Sequence, residues 1–385
     1  MAMTDDSVSL PGLAPLQRVM LWDSHATAGV GHHVEQVEIV LARDFSGQRV
    51  LAAWEETVAQ TEALRIAFLT AHGMPVGLER VSPRKLLELA HAEPPSWATW
   101  LAADRRRPLL ALHEVPWRAV YWQGARRFIW TFHHALLDGR SITRIVRGFL
   151  ARLTGMEADV LTLSRWSEPS AEVVAVAGKM FREMPVIAEL AAMVFHSEES
   201  EGLAVRCLGN AFASRLDSRA AAMEVTTATL LTWAWGQALA ETNGTTSVLV
   251  EQLRVGSPQP ATAGFTMNTL PVVIHRAAVG EVEIGLRELQ ARLRALREIE
   301  TVSPDDFAPG VFPNMNLPGA SGIMIERGTL QYLAGGESVK SLVLHEAQGT
   351  TRVATAHLLP DLRLEVEGPG RHPLLESWIS VLHRA

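Results

Sequence analysis

Cysteine is almost missing from this sequence of 385 residues, in which Cys207 is the only one. A single thiol excludes an internal disulfide framework and a cysteine-based metal cluster, and it fits a reducing cytoplasm better than secretion. The sequence also lacks a basic segment followed by an apolar one near its start, which a signal peptide requires. No apolar run reaches the ~18 residues that cross a bilayer. We therefore expect a cytoplasmic protein without a membrane span.

Basic charge is not concentrated anywhere in the sequence. The 35 lysine and arginine residues are outnumbered by 42 aspartate and glutamate residues, and the formal net charge is -7. Because the basic residues are scattered, nucleic acid is not an expected partner. The pair His32 and His33 has no neighbours at zinc-ligand spacing, so we expect no metal site. A Gly-x-Ser-x-Gly elbow and a phosphate-binding glycine loop are both missing, which leaves serine hydrolases and nucleotide-dependent ligases without support.

The composition is otherwise that of a folded globular protein, with 48% apolar and 20% charged residues. Single cores stop growing at roughly 250 to 300 residues, so this length predicts two domains. Helical stretches and Ser/Glu-rich turns alternate over 155–200. We place the boundary in that region and predict lobes at 1–170 and 171–385.

Hydrophobic periodicity predicts a mixture of helices and strands, and thus an α/β (α+β) fold. In the first lobe we expect a core helix from residue 46, a hairpin of strands 118–122 and 127–132, and a helix that begins after Gly139 and stops near Gly155. In the second lobe we expect a buried helix at 226–240, strands at 247–253 and 268–274, an amphipathic helix through 286–296, two late strands and a terminal helix.

The segment His133-His134-Ala135-Leu136-Leu137-Asp138-Gly139, here called the His134 motif, lies between the second hairpin strand and the next helix. Loops of this kind carry chemistry because rigid elements hold them while their side chains stay free. A histidine with an unperturbed pKa near 6.5 is mostly neutral in the cytoplasm and accepts a proton from an attacking amine or hydroxyl. The same proton can leave with a thiol, so the motif predicts acyl transfer from a thioester.

The other fixed positions of the His134 motif predict support for this chemistry. Asp138 is expected to hold the loop through a bidentate contact with a distant arginine. Gly139 removes a side chain where a substrate arm would pass the backbone, and it tolerates unusual dihedral angles at the start of the helix. The alternative is that two histidines at a strand end are ordinary core or surface residues. Four fixed positions in such a loop weigh against that interpretation.

The His134 motif and three further segments resemble the condensation-domain superfamily of nonribosomal peptide synthesis, whose relatives include chloramphenicol acetyltransferase. The segments occur in the family's order and span most of the chain: Leu13-Ala14-Pro15-Leu16-Gln17-Arg18 with Leu21-Trp22, Thr61-Glu62-Ala63-Leu64-Arg65-Ile66-Ala67-Phe68, and Gly264-Phe265-Thr266-Met267-Asn268-Thr269-Leu270-Pro271. The sequences that mark plant acyltransferases and heterocyclising relatives are absent, and epimerisation is a minor option.

This resemblance implies two chloramphenicol acetyltransferase-like lobes in a V-shaped pseudo-dimer with a central tunnel. It implies that catalysis lies in the His134 motif, with His134 as the proton acceptor. The arginine that partners the motif's aspartate in the family corresponds best to Arg254 and less well to Arg65. We also assign Ser141 and Asn268 to substrate binding.

The resemblance implies a free-standing condensation enzyme of natural-product biosynthesis, including antibiotic biosynthesis. Such an enzyme transfers an acyl or aminoacyl group from a carrier-protein phosphopantetheine thioester to an amine or an alcohol, giving an amide or an ester. It holds no permanent cofactor, and its partners are an acyl- or peptidyl-carrier protein and a small-molecule or carrier-bound acceptor. The alternatives are an acyl-coenzyme A-dependent N- or O-acyltransferase of the same fold and a non-catalytic docking module.

Overall fold

The secondary structure is mixed α/β, as the sequence predicted. The computed structural model describes residues 12–71, 74–164, 166–182, 202–256, 259–278, 280–303, 321–326, 338–345, 353–358, 361–368 and 371–385. The helices are α1 (Pro15–Ala26), α2 (Gly47–Ala59), α3 (Trp97–Arg105), α4 (Gly139–Leu153), α5 (Ala171–Arg182), α6 (Gly209–Ala222), α7 (Thr227–Asn243), α8 (Val282–Ala295) and α9 (Arg371–Arg384). Single turns of 3-10 helix lie at Glu62–Arg65, His134–Leu136 and Leu296–Ile299.

The strands are mostly short, and they form two larger sheets and two small pairs. They are β1 (Val34–Leu41), β2 (Ile66–Ala71), β3 (Met74–Arg80), β4 (Glu88–Ala90), β5 (Trp117–Trp122), β6 (Arg127–His133), β7 (Thr162–Leu163), β8 (Leu203–Cys207), β9 (Ser247–Val255), β10 (Thr262–Ala263), β11 (Met267–His275), β12 (Ser321–Glu326), β13 (Val339–His345), β14 (Val353–His357) and β15 (Arg363–Glu367). No helix among the described residues has the length and apolar character needed to cross a membrane.

The chain divides into two compact units. The first unit comprises Met1–Ser167, Ser257–Thr266 and Thr329–Gln348, and the second comprises Glu168–Gly256, Met267–Gly328 and Gly349–Ala385. The continuous lobes 1–170 and 171–385 are a different division, because two segments of the later chain belong with the first unit. The V-shaped arrangement and the tunnel stay predictions.

The first unit is built on a five-stranded sheet in the order β13-β1-β6-β5-β4. β5 and β6 are the antiparallel hairpin that the sequence predicted. From α2, the fully buried Trp54 meets the rings of Trp117, Phe128, Trp130 and Phe149 at centroid distances of 5.1 to 5.7 Å. Such pairs add about 0.5–1.5 kcal/mol each beyond their buried area. Because Phe149 belongs to α4, this aromatic cluster fixes α4 against the sheet.

The second unit is built on a six-stranded sheet in the order β11-β9-β12-β14-β15-β8. α7 is the predicted buried helix, and Gly244, in the left-handed conformation, ends it. Its Trp235 lies 5.2 Å from the ring of Trp378 of α9. Gly236 allows α7 to approach β11 closely, since a Cβ atom there would lie 2.5 Å from Cδ1 of Ile274.

Candidate active site

The His134 motif connects β6 to α4, and Asp138 caps the helix. The Oδ1 atom of Asp138 accepts a hydrogen bond of 2.9 Å from the backbone N–H of Ser141. Aspartate is among the preferred N-cap residues because it pairs with N–H groups that the first helical turn leaves unbonded. Its negative charge also interacts favourably with the positive end of the helix dipole. The cap thus fixes the end of the loop that carries His134.

Asp138 also binds a segment that follows it by more than 120 residues. Its Oδ2 atom accepts hydrogen bonds from the backbone N–H of Thr266, at 3.2 Å, and from the Thr266 hydroxyl, at 2.7 Å. The backbone N–H of Asp138 donates to the carbonyl oxygen of Gly264 at 2.9 Å. The carboxylate therefore joins the His134 motif to residues 264–266 of the first unit.

These partners of Asp138 are neutral donors, and the pairing of Asp138 with an arginine stays a prediction. Arg254, the first candidate, donates from Nε and Nη2 to Oε1 of Glu300, at 3.0 and 2.6 Å, and from Nη1 to Gln252 at 2.7 Å. Arg65, the second candidate, ends a 3-10 turn. The Asp138 carboxylate accepts from a hydroxyl and two backbone N–H groups, which a local sequence match does not reveal.

Ser141 and Asn268, which the sequence assigns to substrate binding, are hydrogen-bonded to the backbone. The Ser141 hydroxyl, buried in α4, donates to the carbonyl oxygen of Gly264 at 2.9 Å and accepts from the N–H of the same residue at 3.0 Å. Asn268 is 1% exposed, and its Nδ2 donates to the carbonyl oxygens of Glu300 and Val302 at 2.8 and 2.9 Å. Buried side chains with these partners hold chain segments together.

His133 is buried, and its hydrogen bonds determine which ring nitrogen carries the proton. Nδ1 accepts from the backbone N–H of Ala135 at 3.1 Å, so Nε2 is the protonated nitrogen and donates to the Ser24 hydroxyl at 2.9 Å. Burial lowers the pKa of His133 well below its usual value, and two neighbouring imidazoles lower it further. His133 is therefore neutral and is committed to the structure of the loop.

His134 differs from His133 because 18% of its side chain is exposed. Its Nδ1 lies 3.3 Å from Oε2 of Glu35, and its ring meets the edge of Phe265 at 5.9 Å. The backbone N–H of His134 donates to the carbonyl oxygen of His33 at 2.6 Å. Gly139 is exposed at the first position of α4 and has no positive φ, so the unusual dihedral angles expected there are not used.

α1 and the turn before β1 support the motif from a second side, which the sequence interpretation missed. Gln17 of α1 donates to the carbonyl oxygen of Ala135 at 2.7 Å. Asp23 binds Nε2 of His33 at 2.9 Å and Nδ1 of His32 at 3.2 Å. Burial lowers the pKa of His33, although the charge of Asp23 opposes that shift. Among the described residues, no group of histidine, cysteine and carboxylate side chains is arranged to hold a metal ion.

Glu35 was also missed, because β1 itself was not predicted. β1 pairs with β6 so that Val34 lies opposite His133, which places Glu35 beside the motif. The sequence does alternate over Val37, Ile39 and Leu41, a pattern typical of a half-buried strand. Three polar residues on the same strand obscured that alternation.

Comparisons with known proteins agree with this fold. No family model matches the chain. One of the proteins that make up the linear gramicidin synthase of Brevibacillus parabrevis is 26% identical over 331 residues, which are 75% of this chain and 4% of that protein. The chain therefore spans only a small part of the curated relatives that it matches.

Solved structures resemble the chain over almost its whole length. The condensation domain of the monacolin K polyketide synthase superposes with a TM-score of 0.70 at 14% identity, covering 98% of this chain and 97% of that one. The structure reported for condensation domain-mediated chain release from the enacyloxin polyketide synthase gives 0.71 at 15% identity, covering 99% and 84%. The chain therefore has the fold of these condensation domains, and three quarters of its sequence is similar to a short part of a linear gramicidin synthase protein.

Proposed function

We propose that this protein transfers an acyl or aminoacyl group from a phosphopantetheine thioester on a carrier protein to an amine or an alcohol. The observation that carries the proposal is the contrast between the two adjacent histidines of the motif. His133 is buried and neutral, with both ring nitrogens hydrogen-bonded. His134 is partly exposed on a loop that Asp138 and Gln17 hold in place. A rigidly held, partly exposed imidazole is suited to act as a general base.

The proposed reaction needs one proton acceptor and no added oxidant or reductant. The attacking nitrogen or oxygen forms a bond to the acyl carbon as His134 takes its proton. The bond between the acyl carbon and sulfur then breaks, and the proton passes from His134 to the departing thiolate. The thioester supplies the free energy, and the chain supplies orientation and proton transfer.

The proposal is tested by incubating the purified chain with acyl-loaded carrier protein and a panel of amines and alcohols, with products identified by mass spectrometry. We expect His134→Ala to lower the rate about 10²- to 10⁴-fold, which is the usual contribution of a general base. His372→Ala is the matched control, because His372 is exposed on α9. Equal product from the wild type and His134→Ala with every pair of substrates contradicts the proposal.

The donor is examined in separate arms of the same experiment. Supplying the carrier as a separate protein tests whether the chain acts without being fused to it. Acyl-coenzyme A in place of the loaded carrier tests the alternative donor, and we expect the loaded carrier to give the larger kcat/KM. The amine and alcohol arms distinguish amide from ester formation.

A further inference from the structure

Glu35 is a buried carboxylate at the edge of the candidate active site. It is the second residue of β1, directly opposite Phe132 of β6, and only 7% of its side chain is exposed. Burying a charged carboxylate is costly unless a partner compensates for the lost water. The Oε2 atom of Glu35 lies 3.3 Å from Nδ1 of His134, which is an ion-pair distance without the angle of a hydrogen bond. Its position is therefore determined by the strand, and its charge faces the imidazole.

We propose that Glu35 is the positioning residue of His134, which fixes the proton of the resting imidazole on Nδ1 and stabilises the imidazolium formed during acyl transfer. This inference rests on the proposed function. A carboxylate has no proton to donate at neutral pH, so the nitrogen that faces it carries the hydrogen. The basic lone pair of the His134 ring is then on Nε2. That nitrogen accepts the proton from the attacking group and returns it to the thiolate, while the Nδ1 proton stays in place.

The groups near Glu35 include a cationic side chain as well as His134. Arg105, at the end of α3, lies near enough that the charge of Glu35 opposes the lowering of the Arg105 pKa by burial. The same arginine contacts Oε1 of Gln36, the next residue of β1, at 3.4 Å. His33 also lies near His134, and burial lowers the pKa of His33. Glu35 thus lies near one permanent cation and near the imidazole that becomes cationic during the reaction.

The other acidic group of the motif is not suited to this task. Both oxygens of Asp138 accept hydrogen bonds from Ser141 and Thr266, and the carboxylate caps α4. The two carboxylates therefore have separate duties. Asp138 fixes the backbone of the loop, and Glu35 fixes the ring that the loop presents.

The test compares Glu35→Gln and Glu35→Asp with a matched control, Glu38→Gln. Glu38 is a part-buried carboxylate of the same strand that pairs with Arg127 and His345 instead of the motif. We expect Glu35→Gln to lower kcat at least about tenfold with KM changed less than about threefold. We expect Glu35→Asp to recover part of that loss and Glu38→Gln to leave kcat unchanged. If Glu35 had a purely structural role, the kcat of all three variants would change in proportion to their loss of stability.

The pH dependence of kcat gives a second measurement, because a loss of packing does not shift the pH of its acidic limb. Removing the negative charge makes the imidazolium less favourable, so His134 stays neutral to lower pH. The acidic limb of the kcat profile should therefore move to lower pH in Glu35→Gln and stay unchanged in Glu38→Gln. The NMR titration midpoint of His134, measured without substrate, should move in the same direction.

The outcomes separate this inference from the proposed function. If His134→Ala is inactive but Glu35→Gln keeps the wild-type kcat, acidic limb and titration midpoint, the assignment of Glu35 is wrong and the proposed function stands. If His134→Ala is fully active, the proposed function is wrong. If Glu35→Gln does not fold, the midpoint and acidic limb in Glu35→Asn, which also removes the charge, decide, and values equal to those of the wild type overturn the inference.

Discussion

At the scale of single residues, the buried and the partly exposed members of the His134 motif differ in their contacts. His133 and Asp138 are buried and hydrogen-bonded to nearby backbone and hydroxyl groups. His134 is the partly exposed member. The supporting residues hold the loop through directional bonds, so changes to them should affect stability as well as activity.

Asp138→Asn should lower the free energy of unfolding by about 1–3 kcal/mol. The asparagine amide keeps one acceptor oxygen. Its NH2 group would face a donor, either the N–H of Ser141 or the donors of Thr266, so hydrogen bonds are lost. The loss is measured by urea denaturation. Thr266→Val removes one of the same bonds, so a double-mutant cycle should give a coupling energy of about 0.5–3 kcal/mol between the two sites. Additive losses would contradict the direct contact.

His133 should make the protein less stable as the pH falls below about 6.5. Its pKa is lowered by folding, so between the folded pKa and 6.5 the unfolded chain binds a proton that the folded chain does not. Stability then falls by up to about 1.4 kcal/mol for each pH unit. His133→Gln should be less stable at pH 7 but should show a shallower decline toward pH 5.

The measurement for His133 is the difference between wild type and variant at each pH, because other groups also contribute. Glu251 acts in the opposite direction, because burial raises its pKa to about 8. Its contribution makes the protein less stable as the pH rises from 4.5 to 8. The exposed His372, changed to Gln, is the control and should leave the slope unchanged. Parallel curves for the wild type and His133→Gln would show that folding does not exclude the proton from His133.

At the scale of secondary-structure elements, periodicity predicted the helices that bury one apolar face. It also predicted the two strands that pair in a hairpin. α2, α4, α7, β5 and β6 lie where the sequence places them. β1 was missed because Glu35, Gln36 and Glu38 interrupt its apolar alternation, and they do so because they form contacts within the first unit. The polar network of a site is specified by partners far away in the sequence.

The same reason explains which site residues were predicted. His134 was predicted from local order along the chain. The cap at Asp138 was not predicted, although an aspartate before a periodic helix is a typical N-cap. The partners Thr266, Glu35 and Ser24 lie in other segments. The assignments of Arg254, Ser141 and Asn268 were made from segment likeness, and their actual partners depend on how the chain folds back on itself.

Gly236→Ala tests the close approach of α7 to β11. Helix propensity alone predicts a gain of up to about 1 kcal/mol. The new Cβ atom would lie 2.5 to 2.8 Å from three atoms of Ile274, and overpacking of this kind costs about 1–3 kcal/mol. We expect a net loss of stability in thermal unfolding. Ile274→Val, which removes the closest atom, should reduce that loss in the double variant. A stabilised Gly236→Ala would contradict the contact.

At the scale of the whole molecule, the first unit is assembled from three separate stretches of the chain. β13 pairs with β1 along most of its length, and residues 264–266 bind Asp138. A fragment that ends at residue 170 lacks both. The unit is therefore compact in space but divided in sequence.

A fragment of residues 1–170 should not fold cooperatively. Without β13, the backbone groups of β1 on that side lose their partners, and without residues 264–266 the carboxylate of Asp138 loses its contacts with Thr266. Circular dichroism melting and NMR dispersion are the measurements, with the whole chain as the control. A sharp transition and dispersed amide signals from the fragment alone would show that the later segments are dispensable.

The link between Asp138 and Thr266 also sets an order of events on the ribosome. Thr266 follows Asp138 by 128 positions. At about 5–20 residues per second, roughly 6 to 26 seconds pass between the synthesis of the two. During that interval the sequence of α4 has been synthesised, but residues 264–266, which bind Asp138, have not. A chaperone could therefore bind the loop, or the chain could collapse, before the contacts of Asp138 are complete.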